Sequence, residues 1–264
     1  MTAGAGSIEA QGLSVTVGSS TLLEPLDLRL KAGELTAIIG PNGAGKTSLV
    51  RALLGLTKHT GLVRFGDDQR DAMPGPARAR VAAYLPQGQN HAWPLTVADI
   101  VALGRHPHGD EDSYDIAPLL HRMGLDQLAD RSVLSLSGGE QMRVALARAL
   151  AVEAQFLFAD EPLASLDPHY QFAILDILSR EASSGVGVIV VLHDLRHAAA
   201  YADRIIMMAG GRVVADGRPE EVLTPERVGT AFGVQTRLET ITRGGQSRIE
   251  AALPSAAPPQ EPSV

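Results

Sequence analysis

Gly40-Pro41-Asn42-Gly43-Ala44-Gly45-Lys46-Thr47 follows the apolar run Leu35 to Ile39 and leads into Ser48-Leu49-Val50-Arg51-Ala52-Leu53-Leu54. Strand, glycine loop and helix, in that order, make a phosphate site. The glycines let the backbone curl so that successive N–H groups face phosphate oxygens, and the following helix adds the positive end of its dipole. The pattern is G-x-x-x-x-G-K-[ST], in which Lys46 reaches the β- and γ-phosphates and the Thr47 hydroxyl ligates Mg²⁺. Gly40, Pro41, Asn42, Gly43, Ala44, Gly45, Lys46, Thr47 and Ser48 are the expected nucleotide contacts. A glycine-rich surface turn would account for the loop alone, not for its place between a buried strand and a helix.

The composition allows one large core. Of 264 residues, 45% are hydrophobic and 20% charged, enough for one substantial domain with room for an inserted subdomain. There is no cysteine, so no disulfide framework or cysteine metal site exists. A net charge of −7 without a basic tract argues against nucleic acid as a partner. Met1 to Ser7 shows neither a basic region nor an apolar core for export, so the expected location is cytoplasmic. No apolar run approaches the roughly 18 to 20 residues of a membrane helix, and a membrane role is expected only through a partner.

Along the chain, Ile8 to Val17 and Leu22 to Leu30 alternate loosely around Gly18-Ser19-Ser20 and read as a hairpin. Gly61 to Phe65 reads as a third strand of an antiparallel layer. Asp67 to Arg80, with Pro74, Gly75 and Pro76, reads as loop and turn, and Val81 to Leu85 as a short buried strand ending at Pro86-Gln87. From Gly88 to about Glu153 the pattern is helical, which predicts an inserted subdomain. Phe156 to Ala159 and Val186 to Leu192 are continuous apolar runs, as in parallel strands buried on both faces. A helix from Tyr170 to Glu181 completes a crossover between them. Arg204 to Met208 and Arg212 to Asp216 form a further hairpin, and Val234 to Ala252 two short polar strands around Gly244-Gly245. Pro254 to Val264 has four prolines and no periodicity, so a disordered tail is expected.

Two further motifs carry chemistry. Asp160-Glu161 ends the run Phe156 to Ala159, at the carboxyl end of a parallel strand, where open α/β sheets bind ligands. Asp160 would hold Mg²⁺ through its water shell, and Glu161 would orient or deprotonate an attacking water. Leu136-Ser137-Gly138-Gly139-Glu140-Gln141 opens a helix from Met142 to Ala151, so Ser137, Gly138 and Gly139 offer N–H groups at a second anion site. Two phosphate-binding helix starts, far apart in one chain, mean either two ligands or one ligand shared between two copies.

In order and spacing, the phosphate loop, Gln87, Leu136 to Gln141, Asp160-Glu161 and His193 resemble the ATP-binding subunit of ABC transporters, over about residues 8 to 233. The resemblance implies an α/β fold: a P-loop (RecA-like), mostly parallel sheet with an antiparallel β layer and a helical subdomain inserted at about 88–153. Residues 234–253 would then be a short C-terminal β extension. It implies a head-to-tail homodimer with two sandwiched ATP molecules, each held by one chain's phosphate loop and by Ser137 to Gly139 of the other. Gln87 would touch Mg²⁺ and lean on an integral-membrane permease. His193 would contact the γ-phosphate, and Asp167, in Ala164-Ser165-Leu166-Asp167, would lie where the protomers sense each other. Lys46, Gln87, Glu161 and His193 are thus the expected catalytic residues, with Thr47, Gln87 and Asp160 about the metal. In most of the family an aromatic residue stacks on adenine from the first hairpin; here the aligned residue is Val17, and no aromatic occurs from Met1 to Arg64.

Trp93 to Val97, followed by Val101-Ala102-Leu103-Gly104-Arg105-His106-Pro107-His108, is similar to importer ATPases for iron-siderophore complexes, haem and cobalamin. Such a subunit sits on the cytoplasmic face of the inner membrane, bound to its permease and fed indirectly by a periplasmic substrate-binding protein. An exporter subunit, an importer for another small solute, a soluble ABC protein and a small-molecule kinase are the alternative readings. Two histidine clusters are set aside. His193-Asp194-Leu195-Arg196-His197 begins at a strand end and has Asp where a zinc motif needs Glu. His106 to Asp112 is interrupted by Pro107 and Gly109 and reads as a solvated loop.

Overall fold

The computed structural model describes residues 6–88, 94–164, 166–233, 236–243 and 246–254. One sheet is antiparallel, in the order β2-β1-β4-β5, from β1 (Ser7–Val17), β2 (Ser20–Lys31), β4 (Thr60–Phe65) and β5 (Asp68–Gln69). The loose alternation of β1 has a structural cause. Ile8 and Ala10 are buried, then Leu13 and Val15, and the pairing register shifts between Ala10 and Leu13. A bulge there moves the side-chain phase by one residue, so both halves of the strand face the core.

The second sheet has the order β10-β9-β3-β8-β7-β6. It contains β3 (Leu35–Ile39), β6 (Ala82–Leu85), β7 (Phe156–Asp160), β8 (Gly187–Val191), β9 (Arg204–Ala209) and β10 (Arg212–Gly217). All neighbours pair parallel except β10, which runs antiparallel to β9 at the edge. Every residue of β3, β7 and β8 is buried, which is why these runs show no alternation.

The core divides across this sheet. On one face Ile38, Phe158, Ile189 and Ile206 pack with the antiparallel layer and α1 (Lys46–Leu54). On the other, Ala37, Leu157, Val190 and Ile205 pack with residues of α5 (Gly138–Ala151) and α6 (Pro168–Ser183). Alternate residues of one strand therefore serve opposite layers, and the phosphate-loop helix is pinned between the two sheets. Its far end is held by Arg70, fully buried, which donates to the carbonyls of Ala52 and Leu53.

The segment expected to be loop, Asp67 to Arg80, is more ordered. It holds β5, a 3₁₀ turn at Arg70–Ala72 and a helix, α2 (Gly75–Val81). Pro76 lies in the first turn of α2, where a missing N–H costs no intrahelical bond, so the proline marks a helix start. Val81 closes this helix, and β6 begins one residue later. Between Gly88 and Glu153 the described residues hold α3 (Val97–Ala102), α4 (Ala117–Arg122), α5 and short 3₁₀ turns. A lone bridge joins Thr96 to Ser132. Arg105 ties this region to the end of α5 by donating to the Ala151 carbonyl at 2.9 Å, to Glu153 and to Asp110.

After β8 come α7 (Leu195–Tyr201), α8 (Pro219–Val222) and α9 (Pro225–Phe232), three helices that sequence reading did not anticipate. β11 (Thr236–Arg243) and β12 (Gln246–Pro254) pair antiparallel where two polar strands were expected. The tail was expected from Pro254, but Pro254 ends β12; residues 255–264 lie outside the described residues, as do Trp93 and Ser165.

Candidate functional site

The phosphate loop is shaped by two close backbone approaches. Gly40 adopts φ 154°, and a Cβ there would lie 2.2 Å from the Met208 carbonyl oxygen. Gly45, at φ 96°, begins α1, and its Cβ would meet the Leu22 carbonyl oxygen at 2.6 Å. Neither position tolerates a side chain, so the loop leans on β9 and β2 and keeps its amides turned toward the cleft. That cleft, roughly 200 Å³, is lined by Asn42 to Ser48, Leu22 and Glu161.

Lys46 is buried, and its Nζ donates to the carbonyls of Gly40 at 2.9 Å and Pro41 at 3.0 Å. Burial lowers its pKa, while the Glu161 and Asp160 carboxylates act to raise it. A phosphate entering the cleft adds negative charge beside this amine and favours its cationic form.

Asp160 ends β7 fully buried. Its Oδ1 accepts from the Thr47 hydroxyl at 3.1 Å and its Oδ2 from the Tyr84 hydroxyl at 3.2 Å. Burial pushes its pKa up, so a cation beside it would be favoured. A hydroxyl and a carboxylate facing each other at the mouth of the phosphate cleft are the hard oxygen donors that Mg²⁺ takes, and the residues fit that ion.

Glu161 has φ 52°, a left-handed backbone rarely adopted by a branched or long side chain. Such strain costs on the order of 1–3 kcal/mol and collects at functional sites. The twist turns the carboxylate out of the sheet and into a three-residue cluster. Gln87 Nε2 donates to its Oε2 at 2.6 Å, and His193 Nε2 lies 2.6 Å from its Oε1. Three residues from the ends of β6, β7 and β8 are thus joined at one sheet edge. Gln87 reaches Glu161 and not the Thr47 and Asp160 pair near which a metal contact was expected.

Ser137 behaves differently from its sequence reading. It caps α5 in a capping box: Glu140 N donates to Ser137 Oγ at 3.3 Å, and Ser137 N donates to Glu140 Oε2 at 2.9 Å. Its N–H is therefore engaged rather than free, because Glu at the third helical position reaches back to it. Gly138 is exposed, whereas Gly139 lies against Tyr170, whose ring would stand 2.7 Å from an added Cβ. None of these three residues lines the Lys46 cleft. Asp167 is exposed at the start of α6 and makes no side-chain cap bond there.

Val17 sits at the end of the first hairpin opposite Ser20 and is 59% exposed, so it is not a core strand residue. Leu22, five residues further along the chain and 40% exposed, lines the phosphate cleft. Among the two histidine clusters, Asp194 caps α7 and pairs with Arg196 at 2.5 Å. His106 pairs with Glu111, and His108 faces the Val152 carbonyl. No group of three metal-ligating side chains occurs among the described residues. Sequence reading missed Tyr84, whose signal was a lone phenol in an otherwise apolar strand three residues before Gln87.

The ABC transporter family matches residues 23–164. The hemin import ATP-binding protein HmuV of Deinococcus radiodurans is 43% identical over 242 residues, 88% of this chain and 92% of the relative. The cobalamin import ATP-binding protein BtuD of Halobacterium salinarum is 38% identical, over 88% of this chain and 60% of its own length. An inward-facing metal-chelate type ABC transporter superimposes with a TM-score of 0.80 at 23% identity, covering 94% of this chain and 97% of that one.

Proposed function

The chain belongs to the ABC transporter family, and on that premise we propose that it is the ATP-hydrolysing subunit powering an importer for haem, cobalamin or iron-siderophore cargo. The observation that carries the reading is similarity to importer ATP-binding proteins across nearly the whole chain, helical region included. Residues 8–233 act as the ATPase domain, with the helical subdomain at about 88–153 and a β extension at 234–253.

The amides of Gly43 to Ser48 and the α1 dipole hold the β- and γ-phosphates. Lys46 leaves the Gly40 and Pro41 carbonyls for the γ-phosphate, exchanging neutral acceptors for a charged one. Thr47 and Asp160 would hold Mg²⁺, which would supply positive charge beside the phosphates. Glu161 accepts a proton from water aligned with the γ-phosphate, and His193 at its Oε1 and Gln87 at its Oε2 fix the plane of the carboxylate. Ser137 to Gly139 of a second copy close over the same ATP, since the cleft of one chain lacks them.

None of the described helices is long and apolar enough to cross a membrane. As in importers of this family, the subunit works at the cytoplasmic face of the inner membrane through a permease, with a periplasmic substrate-binding protein delivering cargo. Closure of the head-to-tail homodimer on ATP would drive the permease between its two open states.

The test is to purify the chain with its permease, reconstitute both in vesicles, and add binding protein with haem, cobalamin or a ferric siderophore. Phosphate release stimulated by one of these, with cargo entering the vesicle lumen from the binding-protein side, is the expected result. Cargo moving the opposite way, or no stimulation by any of the three, would overturn the import reading.

A further inference from the structure

Tyr84 lies on β6, beside Asp160 on β7, and its hydroxyl is 3.2 Å from Asp160 Oδ2. An ionised carboxylate has no hydrogen to give, so the phenol hydrogen points to Asp160. The two oxygens of Asp160 are then unequal. Oδ2 is held by a phenol whose ring packs against the core, while Oδ1 faces the hydroxyl of Thr47, which lines the phosphate cleft.

We propose that Tyr84 is a positioning residue for Asp160 that holds the carboxylate so that Oδ1 is presented to the nucleotide-bound Mg²⁺. This rests on the reading of Thr47 and Asp160 as the metal site. Side chains from β6 and α1 converge on one buried carboxylate of β7, one on each oxygen. Tyr84 itself packs partly buried against the core below α1, so the ring stays seated when the hydroxyl is removed. Without the phenol hydrogen the carboxylate can rotate, and its Oδ2 is left buried without a donor.

The experiment measures nucleotide binding rather than turnover. A fluorescent trinitrophenyl-ATP is titrated onto the full-length parent, Tyr84→Phe and Tyr84→Met, first with EDTA and then against rising Mg²⁺. Tyr84→Phe is expected to bind as the parent does in EDTA, but to need roughly tenfold to a hundredfold more Mg²⁺ for half-maximal tightening, the usual cost of losing a partner behind a metal ligand. Tyr84→Met, which also lacks the hydroxyl but fills the space with a flexible chain, should shift the Mg²⁺ midpoint in the same direction. A Tyr84→Phe midpoint within twofold of the parent would overturn the assignment. So would an equal loss of affinity with EDTA and with Mg²⁺, which is the mark of a packing defect. If Tyr84→Phe does not fold, Tyr84→Met carries the test, and an unshifted midpoint there overturns the proposal. Should the parent itself show no response to Mg²⁺, the metal reading of Thr47 and Asp160 fails instead, and that result is distinguishable from all the others.

Discussion

Gln87 Nε2 and Glu161 Oε2 are joined by a 2.6 Å hydrogen bond. Gln87 stands where the chain leaves β6 for the helical region, and Glu161 where it leaves β7. The carboxylate proposed to accept a proton from water is therefore tied to the segment expected to lean on a permease. Movement of that segment changes how Glu161 is held. Gln87→Ala is expected to cut stimulation of ATP hydrolysis by permease and loaded binding protein by roughly tenfold, the size of about 1.4 kcal/mol of coupling. Phosphate release with and without loaded binding protein measures this, and full retention of the stimulation ratio would oppose it.

Glu161→Gln keeps a side chain of the same shape but removes the base. ATP binding should survive while turnover falls roughly 10²- to 10⁴-fold, the usual range for a general base, and the nucleotide-bound dimer should accumulate. Gel filtration with ATP shows the dimer, and a phosphate assay shows the rate. Turnover near that of the parent would move the base elsewhere, with His193 next.

The separation of Ser137 from the Lys46 cleft makes a prediction about mixtures. Heterodimers of Ser137→Arg and Lys46→Ala chains contain one intact and one doubly broken site if each site is shared between chains. If each site lies within one chain, both are broken once. One trapped nucleotide per heterodimer supports sharing, whereas none at saturating ATP contradicts it.

The exposed Val17, with only aliphatic Leu22 beside the cleft, offers the base no ring to stack on. Base-on-aromatic stacking is worth about 1–3 kcal/mol, or roughly five- to a hundredfold in affinity. GTP should then be accepted nearly as well as ATP, and Val17→Tyr should tighten ATP binding. Titrating both nucleotides against both chains decides the matter: unchanged ATP affinity on adding the ring, with strong rejection of GTP by the parent, would refute it.

Asp160 predicts a trade between stability and function. Burial raises its pKa above the unfolded value of about 3.9. A carboxyl so shifted favours the fold while protonated, and that advantage is lost as pH rises through the folded pKa. Asp160→Asn, which cannot ionise, should therefore melt higher than the parent at pH 8, with the gap narrowing as pH falls toward 5. It should also lose Mg²⁺-dependent nucleotide binding. A variant that melts lower at pH 8 would show that the lost hydrogen bonds outweigh the relief of buried charge.

The phosphate loop could be read without any structure because its chemistry is local. Gly40 to Thr47 are consecutive, and the curl of the backbone follows from the glycines themselves. The parallel strands were equally legible, since burial on both faces writes itself as unbroken apolar runs in β3, β7 and β8. Other elements were hidden by their own residues. Pro74 and Pro76 looked like loop and proved to start a helix, and the bulge in β1 blurred an alternation that is regular on either side of it.

Gln87 and His193 were singled out only by their resemblance to a family; nothing local distinguishes a glutamine after a strand or a histidine after another. Their convergence on Glu161 depends on β6, β7 and β8 lying side by side, and strand order is set by how crossover helices pack rather than by any one strand. The role of Tyr84 was not legible at all. Tyr84 is 76 residues from Asp160 in the chain, and the direction of a hydroxyl hydrogen is decided only when the two side chains meet. The sequence alone determined that a nucleotide phosphate binds here. Tertiary structure alone decided which carboxylate oxygen the phenol holds and which faces Thr47, because hydrogen-bond direction belongs to the contact and not to either residue.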